Sequence, residues 1–558
     1  MARRKRSTKA SANAVVSRAY LSPTLVLLAF DWPGGEGHDD FLGFAIKRDP
    51  GFQGEKTSWL PNRLTFSGPA KTDSPSNESP IQKFMWWDAR IDDADRGRSF
   101  VYTVIPVIGA PGSLTLLEDD AAKVKVTLPE AVVGSIGTYF NRAVVSSQAF
   151  VREFGRKPTG DKLKRALAWL ANGLEKVIPE FLDTTRPIDG AIYHLTDEEW
   201  VIPALARRTV HTSIVYDNTT KDAGTNDPAV KKLTNVTFSP RKRTGIMHDK
   251  FLVRGGAPRT LATLAGSANF TTEGLTTQAN VLHTFRSPEL AALYRERQQV
   301  LATDPPVSKI VGLAGWSAPI SIDGGQVRVF FPPEPPSVRE SLDAIVRVVE
   351  KASDSVLFCL FAPTDAALRR ALFSVGDAGK MMFGLVNSIT EPKPGAPDNA
   401  GTVAATEIYH RSRDNKDVYS HDLFPQGGKP AGFWWEVAKL PGKAGKFPVY
   451  IHHKFVVIDA ETDHPTIYTG SANMSGNSLW HNDENLIEIK GNTKLARTYL
   501  AEFLRLYEHY RARAQFQNRP HRPGDTFALA KNAGWATKAF TKGSPEWKSR
   551  HAMVGEDG

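Results

Sequence analysis

Two patterns of apolar positions divide the chain. From residue 20 to about 130, short β-prone runs recur at 25–30, 41–46, 84–87, 100–107 and 124–128. Turn-rich segments such as Pro33-Gly34-Gly35 separate them. Short strands punctuated by turns predict an all-β sandwich domain over 20–130. Trp86 and Trp87 lie in one of these runs, and at least one of them is read as core. From about 135 the pattern changes to helices alternating with strands. Residues 162–181 read as an amphipathic helix, 188–195 as a strand, 197–207 as a helix and 211–216 as a strand. Strands at 235–239, 261–264 and 281–285 follow, then a closing helix at 288–301.

A proline-bearing linker, 303–322, ends this stretch, and the order then begins again. Strands are predicted at 327–331, 355–361 and 381–386, helices at 338–352 and 365–373, and a closing helix at 493–513. Thr196-Asp197 and Thr364-Asp365 stand at matching strand-to-helix junctions, which supports an internal duplication. The second half is longer, by an insert over 388–448 that carries Tyr409, Tyr419, Phe424, Phe433, Trp434 and Trp435. Such an insert beside a site reads as a lid or substrate wall, or as a segment packing its aromatics on itself. Residues 515–558 read as an irregular tail.

The duplication is sharpest in two buried-strand runs. One is Met247-His248-Asp249-Lys250-Phe251-Leu252-Val253-Arg254-Gly255, followed by Gly266-Ser267-Ala268-Asn269. The other is Ile451-His452-His453-Lys454-Phe455-Val456-Val457-Ile458-Asp459, followed by Gly470-Ser471-Ala472-Asn473. His and Asn are equally far apart in the two copies. Side chains alternate along a strand, so each His shares a face with its Lys, while Asp249 and His453 point the other way. Imidazole, ammonium and amide donors side by side suit a phosphoryl group.

These paired motifs resemble those of the phospholipase D superfamily: H-x-K, four residues, then D, with G-S-x-N downstream. The resemblance implies a pseudo-twofold α/β fold, with halves at 135–304 and 323–514 and one active site between them. It implies metal-independent phosphodiester cleavage through a phosphohistidine, with neither metal nor cofactor. On that basis His248 is the expected nucleophile and His452 the general acid that later activates water. Lys250, Lys454, Asn269 and Asn473 are expected to hold the phosphoryl oxygens, with Ser267 and Ser471 as further substrate contacts. Asp459 completes the second motif. Gly255 stands in its place in the first, as in the tyrosyl-DNA phosphodiesterases, which also lack this Asp. Glu484 matches a carboxylate that orients a histidine. The comparable place in the first copy, Gln278-Ala279-Asn280, has none, and Glu273 is either a substitute or simply a surface residue. The 20–130 domain weakly resembles a fibronectin type III or immunoglobulin-like domain.

Composition narrows the partners. With 558 residues the chain holds more than one core. A net charge of +10 favours polyanions, and Arg241-Lys242-Arg243 just before His248 makes Arg241 and Arg243 candidate substrate contacts. That points to a nuclease. The alternative is a phospholipase D acting on phosphatidylcholine-like lipids, with the aromatic insert as a choline cage or acyl lip. A third reading is a binding protein with a decayed catalytic core. One cysteine, Cys359, excludes an internal disulfide and a cysteine metal site. Residues 1–19 read as a disordered basic arm with no signal peptide, and no run reaches transmembrane length, so a cytoplasmic protein without stable membrane insertion is expected. Two motifs in one chain let a monomer complete the site, with oligomers left open.

Overall fold

The computed structural model describes residues 14–143, 150, 153–155, 158–256, 259–361, 363–388, 405–420, 451–518 and 528–555. They fall into two compact units. One comprises the chain up to Glu130, residues 497–502 and the described part of 520–558, and the other comprises 131–496 and 503–519.

The first unit is a β-sandwich. A three-stranded antiparallel sheet holds Val16–Ser22, Leu25–Asp31 and Met85–Asp88, and a five-stranded sheet is built around Phe41–Asp49 and Ser99–Ala110. Val26, Leu28 and Phe30 of one sheet share a buried core with Phe44, Ile46, Phe100, Tyr102 and Val104 of the other. Every second residue faces inward, as the pleat requires. Trp86 packs against this core and is half-buried, as is Trp87. The C-terminal segment is not irregular: Thr537–Phe540 and Pro545–Val554 are helices. Ser544 caps the latter, with Pro545 in its first turn, a start signal visible in the sequence. Trp535 and Phe540 contact Phe41 and Phe84, and a buried Arg550–Asp31 ion pair of 2.7 Å adds a polar tie.

The second unit repeats one strand order. In the first half, Ile136–Phe140, Val281–Phe285, Arg259–Gly266, Lys250–Gly256, Ile188–Ile192 and Thr212–Asp217 lie side by side. All neighbours are antiparallel except the last pair. In the second half Gly325–Phe330, Leu486–Lys490, Thr466–Gly470, Lys454–Ile458, Ser355–Leu360 and Met381–Ser388 follow the same order and directions. Beyond them the halves part. Thr237–Arg241 continues the first sheet in parallel, whereas Ala405–His410 and Lys416–Ser420 extend the second antiparallel. Those two strands come from the expected insert. Tyr409 is buried against Phe358 and Phe373 rather than set as a wall. Phe424, Phe433, Trp434 and Trp435 lie outside the described residues.

Helices cover both faces of each sheet. Leu174, Val177, Ile178 and Phe181 pack against Ile188, Ile214 and Leu252 on one face, and Tyr294 of helix Pro288–Ala302 meets Phe251 on the other. In the second half Leu342, Ile345, Leu368 and Leu372 cover Val356, Phe358 and Val456, while Phe503 meets Phe455. The helix predicted over 162–181 is two, Gly160–Ala171 and Leu174–Leu182, because Asn172 and Gly173 both take left-handed backbone, with φ of 53° and 106°. No helix among the described residues is long and apolar enough to cross a membrane.

Candidate active site

Strand register gathers the polar residues at one end of each sheet. Lys250 opens its strand opposite Ile192, so Tyr193 lies beside it, and Phe251 pairs with Ala265, which brings up Ser267 to Asn269. Lys454 likewise opens opposite Leu360, next to Phe361, with Ser471 to Asn473 following the adjacent strand. The two ends are stitched together by backbone bonds. The N–H of His248 donates to the Asp483 carbonyl at 2.8 Å, and that of His452 to the Ala279 carbonyl at 3.1 Å. Each histidine thereby meets the residue after that carbonyl in the other half. His248 Nδ1 lies 3.0 Å from Glu484 Oε1, and His452 Nδ1 lies 2.9 Å from Asn280 Oδ1.

The rest of the constellation also comes in two copies. Lys250 Nζ donates to the His248 carbonyl at 2.6 Å and Lys454 Nζ to the His452 carbonyl at 2.8 Å. Each ammonium sits over an aromatic ring, Tyr193 at 4.8 Å and Phe361 at 5.1 Å. The same rings stand edge-on to the histidines, at 5.0 Å for Tyr193–His248 and 5.1 Å for Phe361–His452.

Residues 345–507 match the family model described as "Cardiolipin synthase, PLD-like domain". The chain carries a phospholipase D-like domain. His452, Lys454, Asn473 and Glu484 lie inside the matched span. No curated protein matches the sequence. Among solved structures the chain is similar to the phospholipase D family member Nuc from Salmonella typhimurium, with 21% identity, 23% of this chain and 86% of that one covered, and a TM-score of 0.21. It is similar to phosphatidylserine synthase from Haemophilus influenzae, with 12% identity, coverage of 62% and 85%, and a TM-score of 0.37. It is also similar to yeast tyrosyl-DNA phosphodiesterase, with 11% identity, coverage of 56% and 84%, and a TM-score of 0.29. The match shows a phospholipase D-like domain, of the kind found in phosphodiesterases, over residues 345–507 and leaves the substrate open.

The site is buried and rich in groups that become cations. Burial pushes His452 well below its ordinary value, and Lys454, Lys250 and His248 push it further. Burial does the same to His248, helped by Lys250 and Lys454. Lys250 is pushed down to about 7 by burial, against the pull of Glu484, Asp249 and Asp217. Lys454 falls well below its usual range through burial and the nearby Lys250. Burial pushes Glu484 up. Burial thus favours the neutral forms of these groups, and a neighbouring anion would draw protons back.

The partners also set the ring nitrogens. Asn280 Nδ2 donates to the Gly274 carbonyl at 2.8 Å, so its Oδ1 accepts from His452 Nδ1–H. In the neutral ring the lone pair is then on Nε2. The Ser267 hydroxyl donates to the same Oδ1 at 2.8 Å. Glu484 faces Nδ1 of His248 at ion-pair distance, with the ring N–H off the line of a regular hydrogen bond. Asn269 and Asn473 follow their strands directly, and the amide oxygen of each is buried with no hydrogen-bond partner among the described residues.

Several expected site residues do other work. Ser267 and Ser471 are fully buried and spend their hydroxyls internally, Ser267 on Asn280 and on the N–H of Val281, Ser471 on the N–H and Nδ2 of Asn485. Arg241 is fully buried, ion-paired to Asp483 at 2.8 Å and Asp304 at 2.9 Å, so it is not a substrate contact. Arg243 is exposed. Asp459 lies at the far end of its strand from His452, roughly 23 Å along the chain. Its carboxylate accepts the N–H groups of Ser353, Asp354 and Ser355 at 3.0, 2.8 and 2.9 Å, a structural task rather than a catalytic one. Gly255 marks a bulge at the same far end, where φ is 103°. The Asp459/Gly255 difference therefore says nothing about how the histidines divide the work. Asp249 does point away, bonding Asn485 at 2.7 Å.

Asn280, Tyr193 and Phe361 were not singled out as site residues in the sequence, although spacing marks all three. Asn280 follows Asn269 by as many residues as Glu484 follows Asn473. Tyr193 precedes Asp197 as Phe361 precedes Asp365. The first-half counterpart of Glu484 is Asn280, which meets His452, and not Glu273.

Proposed function

We propose that this chain cleaves phosphodiesters through a phosphohistidine on His248, with His452 as general acid, and that its substrate is nucleic acid. The observation that carries the division of labour is the unlike pair of partners, Glu484 on His248 and Asn280 on His452. Nε2 of neutral His248 attacks phosphorus in line, and the P–O bond to the leaving group breaks as the N–P bond forms. The bonded ring becomes cationic, and the Glu484 carboxylate stabilises that charge. His452 gives its proton to the leaving oxygen. A neutral amide beside it leaves its imidazolium a stronger acid than a carboxylate would. In the second step neutral His452 takes a proton from water, whose oxygen attacks phosphorus and releases His248. Lys250, Lys454, Asn269 and Asn473 hold the non-bridging oxygens as charge moves.

The nucleic-acid reading rests on the net charge of +10 and on exposed Lys242 and Arg243 near His248, cations suited to backbone phosphates. The lipid reading has one observation of its own, the description of the matched family model. The deciding experiment presents single-stranded DNA, duplex DNA, RNA, and vesicles of cardiolipin or phosphatidylcholine, all with chelator. Cleavage of nucleic acid is expected. Cleavage confined to vesicles replaces that substrate with lipid, and a need for added metal overturns the mechanism. His248→Ala should abolish turnover, and His452→Asn should let a covalent phosphoenzyme accumulate. Full activity in either variant sinks the two-histidine scheme.

A further inference from the structure

Tyr193 and Phe361 occupy equivalent places and do equivalent packing, yet only one is anchored by its own hydroxyl. Tyr193 Oη donates to Asp222 Oδ2 at 2.7 Å. His194 stacks on the Tyr193 ring, with centroids 3.7 Å apart and planes at 17°, and its Nε2 lies 3.6 Å from the other Asp222 oxygen. The loop carrying Asp222 is itself fixed. Asn226 Nδ2 donates to the Tyr193 and Asp217 carbonyls, each at 2.9 Å, and Asn226 Oδ1 accepts the N–H of Leu195 at 2.8 Å. Asp217 in turn accepts the N–H of Met247, the residue before His248, at 2.6 Å. The contacts to Tyr193 and His194 hold the Asp222 carboxyl below its usual range although burial opposes them. In the second half Phe361 has no hydroxyl, and Ala362 follows it where His194 stands in the first.

We propose that Tyr193 and Asp222 are positioning residues that brace the His248 imidazole and the Lys250 ammonium for attack on phosphorus. The inference rests on the phosphohistidine reading above. An edge-on ring restrains an imidazole only as well as the ring itself is held. A phenol tied to a carboxylate is held at both ends, whereas a phenyl ring is held by packing. An attacking nitrogen needs its lone pair aimed within a narrow cone, so a small loss of aim slows bond formation without weakening substrate binding. The brace therefore belongs on the nucleophile.

The test is single-turnover formation of the phosphoenzyme, with melting temperature measured alongside. Tyr193→Phe and Asp222→Asn should each slow phosphoenzyme formation by about tenfold, as removal of a partner behind a reacting group does. KM should stay within about twofold, and phosphoenzyme breakdown, which relies on His452, should keep its rate. The double variant should be no slower than either single one, because both remove the same restraint. A normal rate in Tyr193→Phe overturns the brace, as does a loss appearing wholly in KM, or a double variant that multiplies the two effects. A slowing that tracks the fall in melting temperature across Tyr193→Phe and Tyr193→Ala also overturns it. Absence of any phosphoenzyme in the unmodified protein removes the underlying mechanism, and the brace with it.

Discussion

Glu484 and Asn280 differ by one ionisable group, and the proposed division of labour turns on that difference. Asn280→Asp would give His452 a carboxylate partner and raise its hold on the proton. The alkaline limb of the kcat profile is then expected to move up by roughly one pH unit or more. An unmoved limb would remove His452 as the acid. The lysines make a second prediction. Burial pushes Lys250 down to about 7, and a bound oxyanion would raise it, so binding takes up protons. Affinity for inorganic phosphate should be full below about pH 7 and fall as pH rises above it. Calorimetry in buffers of unlike ionisation heat reads the proton count directly. The same lysine costs stability. Its folded value lies below its unfolded one, so the cost is greatest below about pH 7 and fades toward the ordinary lysine range. Lys250→Met should lose turnover and gain roughly 1–4 kcal/mol of stability at neutral pH, read by urea unfolding.

Strands carry their chemistry at one end and their architecture at the other. Asp459→Ala should leave three N–H groups short of an acceptor and cost about 1–3 kcal/mol, while the folded protein keeps its kcat. Loss of kcat without loss of stability would return Asp459 to the active site. Gly255→Asp should not improve the enzyme. A Cβ there would lie 2.8 Å from the Arg259 carbonyl, on backbone that disfavours side chains, so a lower melting temperature is expected. The strands themselves were legible, because buried runs such as Phe455 to Ile458 have few other readings. The gathering of His and Lys at one end of each strand was legible too, since they share one face. The role of Asp459 was not. A motif is contiguous in sequence, but its two ends point to opposite edges of the sheet. The strand Ile136–Phe140 escaped notice because Gly137 and Thr138 interrupt its apolar pattern, and only its counterpart Gly325–Phe330 was expected.

At the scale of the molecule, the site depends on how two halves are clamped. Arg241 and Arg297 both reach Asp483, and Arg241 also holds Asp304. Arg241→Ala should cost about 1–3 kcal/mol by taking one of two arginines from buried Asp483 and the ion pair from half-buried Asp304. It should leave the salt dependence of nucleic-acid binding unchanged, whereas Arg243→Ala should lower that slope by about one. Binding measured against salt separates the two arginines, which adjacency in sequence had joined. The duplication was legible from the repeated motifs, but the exchange of partners across the junction was not. Nothing local to His248 names Glu484, because the contact is made by the packing of one half on the other. That exchange has a consequence for symmetry. Two identical subunits meeting on a twofold axis would be obliged to place the same side chain beside both histidines. Within one continuous chain the two places are free to differ, so the centre becomes polar. Under the proposed division of labour, a phosphodiester entering either way round would meet attack from one side only.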